Sequence, residues 1–201
     1  MANFSDLTGL AGIALAAAAP SSMALARLPL SKRASILATG AVVVLLLIPF
    51  GGLPLAGYVR GIVGDLSIST LVVLGVVTGR RFGMLSPGVS PRRVGSLLFL
   101  VIAACMLYPL ALGVGACDPY RLGYGEPWFL GLLLVFALGG IALRLPLVAA
   151  SISLAVLAWA AGWYESGNLW DYLLDPMLAA YSVLALAFWL FRWFGFRLRA
   201  R

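Results

Sequence analysis

Apolar residues run through the chain in seven blocks bounded by charged or turn-forming residues, at about 7–26, 34–55, 58–79, 94–115, 127–143, 146–163 and 176–194. Blocks of this length match a hydrocarbon core about 30 Å thick at 1.5 Å of helix rise per residue. The stretch from Pro127 to Tyr164 is interrupted only by Arg144. As one helix it would reach about 55 Å, so it must fold into a hairpin, and Arg144-Leu145-Pro146 supplies the charge and the helix breaker for the turn. The pattern predicts an all-α, polytopic transmembrane helix bundle, a single integral membrane domain over residues 1–201 with seven spans.

Charge sets the expected orientation. Arg27, Lys32, Arg33, Arg80, Arg81, Arg92, Arg93, Arg144, Arg192, Arg197, Arg199 and Arg201 fall at one set of block ends. Asp6, Asp65, Asp118, Glu126, Glu165, Asp171 and Asp175 fall at the other, with Arg60 and Arg121 as the only cations among them. Because positive loops stay cytoplasmic, this sorting predicts an outside N-terminus and a cytoplasmic C-terminus. The first block resembles a secretion signal in its Ala-rich end. It lacks a basic segment before it, and cleavage would leave Arg27, Lys32 and Arg33 outside, so it is expected to be a retained helix.

Composition agrees with a membrane location, at 63% hydrophobic and 10% charged residues with a mean hydropathy of +1.05. The pI near 10.0 comes from arginines beside apolar spans, which act as topology signals and lipid-phosphate contacts, and nucleic acid is not an expected partner. Thirteen of the 14 basic residues are Arg, in a chain rich in Ala, Leu and Gly, which suggests a bacterial inner membrane.

The missing residues exclude functions. With no His, there is no imidazole for haem, copper or zinc and no Ser-His or Cys-His couple. The single lysine, Lys32, lies in a cytoplasmic loop, so no span can carry a retinal Schiff base. No Gly-rich phosphate loop is present, and neither a nucleotide nor any cofactor or metal is expected. Cys105 and Cys117 are 12 residues apart, about 18 Å along a helix, too far to bond to one another.

The remaining polar chemistry gathers at the predicted outer end, in loops holding Asp118, Arg121, Glu126, Glu165 and Asp171 among Trp and Tyr residues. Aromatic residues prefer the headgroup layer, and Glu126-Pro127 and Asp175-Pro176 have the form of helix starts. If the carboxylates converge, they form an acidic, aromatic-rimmed mouth. Asp65 stands apart, roughly 22 Å from the inner boundary when counted back from Arg80, and a carboxylate at that depth is costly unless paired. Arg60 and Arg121 are its candidate partners, and a simple helix cap is the structural alternative.

Arg27-Leu-Pro-Leu30 recurs as Arg144-Leu-Pro-Leu147, and Arg80-Arg-Phe-Gly83 resembles Arg192-Trp-Phe-Gly195. Parallel repeats of spans one to three and five to seven would be similar in topology to the triple-helix-bundle sugar transporters, whose Pro-Gln signature is absent here. Three functional expectations follow. The first is a non-catalytic membrane subunit or assembly partner of a larger envelope complex, in contact with membrane lipids and with other membrane subunits or itself, its small residues Gly9, Gly12, Ala16 and Ala19 permitting close helix contact. The second is a small uniporter or lipid-handling permease with its site near Asp65, and the third is an outer-face enzyme using carboxylates.

Overall fold

A computed structural model describes residues 4–85 and 93–199. The described residues form ten α-helices, one 3-10 turn and one two-residue β-hairpin, so the all-α expectation holds. Helix α1 (Phe4–Ala16) continues through helical Ala17 into α2 (Ala18–Leu25). After a turn, α3 (Lys32–Leu47) begins at Ser31, whose hydroxyl accepts the Ala34 amide at 3.2 Å. This cap satisfies one of the amides that a helix start leaves open.

The second and third apolar blocks differ from expectation. Helix α3 stops at Leu47, and Pro49–Phe50 (β1) pairs antiparallel with Leu53–Pro54 (β2) across Gly51 and Gly52. The third block is two helices, α4 (Leu55–Val63) and α5 (Ile68–Arg81). Gly64 ends α4 at φ 74°, in a region that favours glycine. Ser67 then restarts the chain by accepting the Thr70 amide at 3.2 Å. The residue that caps α5 in its own sequence is therefore Ser67, and Asp65 lies in the break between the two helices.

Helix α6 (Arg93–Ala111) contains Pro109 in its last turn, where the missing N–H leaves the Cys105 carbonyl without its usual helical donor. A 3-10 turn (Pro119–Tyr124) precedes α7 (Pro127–Ala142), and α8 (Pro146–Ala160), α9 (Leu169–Leu173) and α10 (Pro176–Arg199) complete the chain. Pro127, Pro146 and Pro176 stand at first helical positions, where a missing N–H loses nothing. The α7–α8 turn closes as expected at Arg144, which takes a left-handed φ of 55°, uncommon for a side-chain-bearing residue. It returns α8 so tightly that a Cβ on Gly140 would lie 3.2 Å from the Ala149 amide nitrogen.

Helix α8 packs against α7, α5 and α9, α10 lies along α6, and the α1–α2 rod packs against α3, α4 and α5. The two proposed trios are thus arranged differently. In the first, the leading rod touches both following helices, whereas the principal partner of α10 is α6, outside its trio. One core joins Leu107, Phe129, Leu133, Ile152, Leu169 and Tyr172, and a smaller one joins Ile13, Ala14, Ala56 and Leu66.

Three helical segments are long and apolar enough to cross a membrane: Asp6–Leu25, Val94–Ala111 and Pro176–Trp193. Their outward faces are apolar too, with Met106 at 61% exposed, Leu184 at 69% and Phe191 at 78%. Side chains of that kind are stable in lipid and would form a very large apolar surface in water.

Candidate functional site

The α4–α5 break brings the last turn of α4 against the start of α1. Arg60 binds Asp65 through two bonds, Nε to Oδ1 at 2.6 Å and Nη2 to Oδ2 at 3.0 Å, the forked geometry that suits guanidinium to carboxylate. Its Nη1 reaches Asp6 Oδ1 at 3.1 Å, and Nη2 lies 3.6 Å from Glu165 Oε1. Arg60 therefore ties α1, the break and the loop after α8 together. Gly9 makes the approach possible, because a Cβ there would lie 2.3 Å from Asp65 Oδ1 and 2.6 Å from Arg60 Nε. Arg60 is thus the observed partner of Asp65, and Arg121 makes no salt bridge among the described residues.

Asp175 was legible in sequence as a helix start and as one of the outer carboxylates, and it does more. It is 6% exposed, and its Oδ1 accepts the Leu178 amide at 2.7 Å, capping α10. Its Oδ2 accepts the Ser67 amide and Ser67 hydroxyl, each at 2.8 Å, and the Thr70 hydroxyl at 2.5 Å. One carboxylate thus serves two helix N-termini, where backbone dipoles favour negative charge. The Ser67–Thr70 spacing signals the α5 start, but the partner 105 residues away carries no local signal.

Over these helix ends lies a polar cap built from the 3-10 turn and α9. The Tyr120 hydroxyl donates to Asp171, 3.0 Å from both carboxylate oxygens, and the Ser166 hydroxyl donates to Asp171 Oδ2 at 2.5 Å. Asn168 accepts the Trp170 amide at 2.9 Å and donates to the Tyr120 carbonyl at 2.9 Å. Gly123 is obligatory under it, since a Cβ would lie 1.8 Å from Asn168 Oδ1. Below the cap, the Tyr172 hydroxyl accepts the Tyr164 amide, and the Tyr164 hydroxyl donates to the Leu66 carbonyl at 2.8 Å. The Thr8 hydroxyl, on α1, donates to the Trp163 carbonyl. Burial and the nearby Asp171 carboxylate push the Tyr120 phenol up to about 12, and burial holds Tyr164 above the ordinary tyrosine range. Both stay protonated donors at neutral pH.

The seven sequence candidates divide into three places. Arg60, Asp65 and Glu165 converge, joined by Asp6. Asp65 and Asp171 also line a cavity of about 360 Å³ with Tyr108, Tyr120, Tyr164, Asp175 and the apolar Leu107 and Leu112. Asp118, Arg121 and Glu126 instead line a more open groove of about 620 Å³ beside Tyr124 and Trp128. Within it, Asp118 accepts the Tyr120 amide at 3.0 Å, whereas Glu126 stands at the start of α7 without a side-chain capping bond. The larger volume is a surface feature, and the smaller cavity holds the convergent polar groups. Among the described residues, no group of three His, Cys, Asp or Glu side chains is placed to hold a metal ion. Cys105 and Cys117 are both free and exposed.

A helical bundle with lipid-compatible faces and a hydrogen-bonded polar cap at one end defines the class: an α-helical membrane protein. The chain matches no known protein family, no curated protein and no solved structure.

Proposed function

We propose that the chain crosses a bacterial inner membrane seven times, with the acidic, aromatic end outside and the arginine-rich end in the cytoplasm, and that it is a non-catalytic subunit or assembly partner of a larger envelope complex. The crossings are α1–α2, α3, α4 with α5, α6, α7, α8 and α10. Helix α5 alone is about 21 Å long, short of a core about 30 Å thick, and α4 completes that passage. The expected partners are membrane lipids and other membrane subunits or a second copy of the chain, with no nucleic acid or nucleotide involved.

The observation that carries the subunit reading is the use made of the polar groups. Arg60 is held by three carboxylates, Asp175 by two helix starts and Asp171 by Tyr120 and Ser166. These bonds brace one end of the bundle into a stiff face, which suits a surface that others dock on. Purification in mild detergent with mass spectrometry tests it. Stoichiometric co-purifying membrane subunits are expected, and a lone chain in every mild detergent would sink the reading. One observation favours a small permease as the second reading, namely the cavity beside Asp65.

A further inference from the structure

At the end of the bundle opposite the polar cap, cations from three helix ends are drawn together. Arg81, in the last turn of α5, donates its Nε to the Ser22 carbonyl on α2 at 2.9 Å. Lys32, at the start of α3, reaches across to the turn that ends α5, where a Cβ on Gly83 would lie 2.9 Å from its Nζ. Arg27 stands on the α2–α3 turn, and Arg33 and Arg80 adjoin Lys32 and Arg81 in sequence. All five are exposed, and none has a carboxylate within 4.0 Å among the described residues. The carboxylates gather at the other end, with Asp6, Asp65 and Glu165 around Arg60 and with Asp171 and Asp175 at the cap. Lys32 and Arg33 also occupy the first turn of α3, the positive end of its dipole, and no acidic residue shares that turn. Like charges held this close repel one another, and the described residues supply no counter-charge.

We propose that this cluster holds the headgroup of an anionic phospholipid with two phosphodiesters, of the diphosphatidylglycerol type, the α2–α3 turn facing one phosphate and the end of α5 the other. Charge complementarity selects an anion, and the apolar side chains beside the cations select a lipid over a soluble one. Met23, Leu37 and Val77 each lie one helical turn further into the bundle than Arg27, Arg33 and Arg81, and they are 54%, 74% and 40% exposed. Acyl chains can therefore descend over them from a phosphate bound at the cations. Two phosphates suit the site better than one, because its donors come from separate chain segments that the Arg81–Ser22 bond holds side by side. The proposal rests on the reading that this end lies at a membrane boundary, and it needs neither a partner subunit nor a particular side of the membrane.

The test uses the full chain in phosphatidylcholine nanodiscs with increasing diphosphatidylglycerol, the thermal unfolding midpoint being read by tryptophan fluorescence. Phosphatidylglycerol at twice the mole fraction gives the same surface charge and serves as the control. Diphosphatidylglycerol is expected to raise the midpoint to a plateau at a content where the control raises it less. Lys32→Gln and Arg81→Gln should each increase the half-saturating content about fivefold, the weight of one cation beside a lipid phosphate. Arg192→Gln, on α10, which packs on α6, should leave it unchanged. Arg81→Gln also loses the bond to Ser22, so the quantity compared is the lipid-dependent shift, and Lys32→Gln repeats the test without that loss. Equal shifts from the two lipids at matched charge, or an undiminished shift in the Lys32→Gln/Arg81→Gln double variant, overturn the proposal. A rise caused by polyglutamate in phosphatidylcholine alone, with none from diphosphatidylglycerol, also overturns it and assigns the cluster to an acidic protein partner. A chain that does not enter nanodiscs refutes the membrane reading together with the site, whereas a chain that enters without lipid selectivity refutes the site alone.

Discussion

Replacing Asp175 by alanine should be the most damaging single change at the polar end of the bundle. It leaves the Ser67 amide, the Ser67 and Thr70 hydroxyls and the Leu178 amide without their acceptor, at a position 6% exposed. Each unpaired buried donor costs about 1–3 kcal/mol. The Ser67 hydroxyl can still donate to the Thr70 hydroxyl 3.2 Å away, which relieves part of the loss, so the total is about 3–5 kcal/mol. Asparagine keeps one acceptor oxygen and should cost roughly half as much. Thr70→Val removes one bond to an ionised acceptor without changing shape, at about 1–2 kcal/mol. On the Asp175→Ala background it should cost almost nothing, because the bond is already gone. Thermal unfolding of the detergent-purified variants, followed by tryptophan fluorescence, gives the ranking. If Asp175→Ala is no more destabilising than Asp118→Ala, or if Thr70→Val costs the same with and without Asp175, the two-helix clamp is not what stabilises this end.

The Arg60 cluster predicts that Arg60→Gln lowers the unfolding midpoint more than Asp65→Asn, since the first leaves three carboxylates without their shared cation and the second leaves Arg60 with Asp6 and Glu165; equal effects would show that Asp65 and not Arg60 is the hub. Gly9→Ala should cost about 1–3 kcal/mol through overpacking, because its Cβ would fall 2.3 Å from Asp65 Oδ1, while Gly12→Ala, with 3.5 Å of room, should be tolerated in the same unfolding assay. Tyr120 has its folded pKa raised to about 12 by burial and Asp171, so its contribution to stability is complete below the ordinary tyrosine value near 10 and is lost as pH rises from about 10 to 12. Tyr120→Phe should flatten part of the stability loss over that interval, and an unchanged pH profile would show that the Tyr120–Asp171 bond is not maintained. For orientation, a Cys105→Ala chain should label at Cys117 with a membrane-impermeant maleimide added to intact cells, and a further Leu28→Cys site should label only after the membrane is opened; reaction of both from the same side would refute the seven-crossing arrangement.

The membrane class, the helical content and the α7–α8 hairpin were legible along the chain, because lipid allows few backbone solutions and each leaves a local trace. An apolar run shows a helix, and Arg144-Leu145-Pro146 shows where the chain turns. Glu-Pro and Asp-Pro likewise announce helix starts, since capping is a matter of neighbours within one turn. The break at Gly64 was harder to see. An apolar run does not register a left-handed glycine, so residues 58–79 read as one span and became two helices. Asp65 was recognised because a charge among apolar residues needs a partner, and Arg60 was near enough in sequence to be named. What tertiary structure alone decided is which distant groups meet. Nothing near Ser67 points to Asp175, nothing near Gly9 points to Arg60, and Arg121 was as good a candidate for Asp65 as Arg60 until the loops were placed. Pairing at such distances depends on how the helices pack, and packing of one apolar face on another is set by shape, which hydropathy along the chain does not encode.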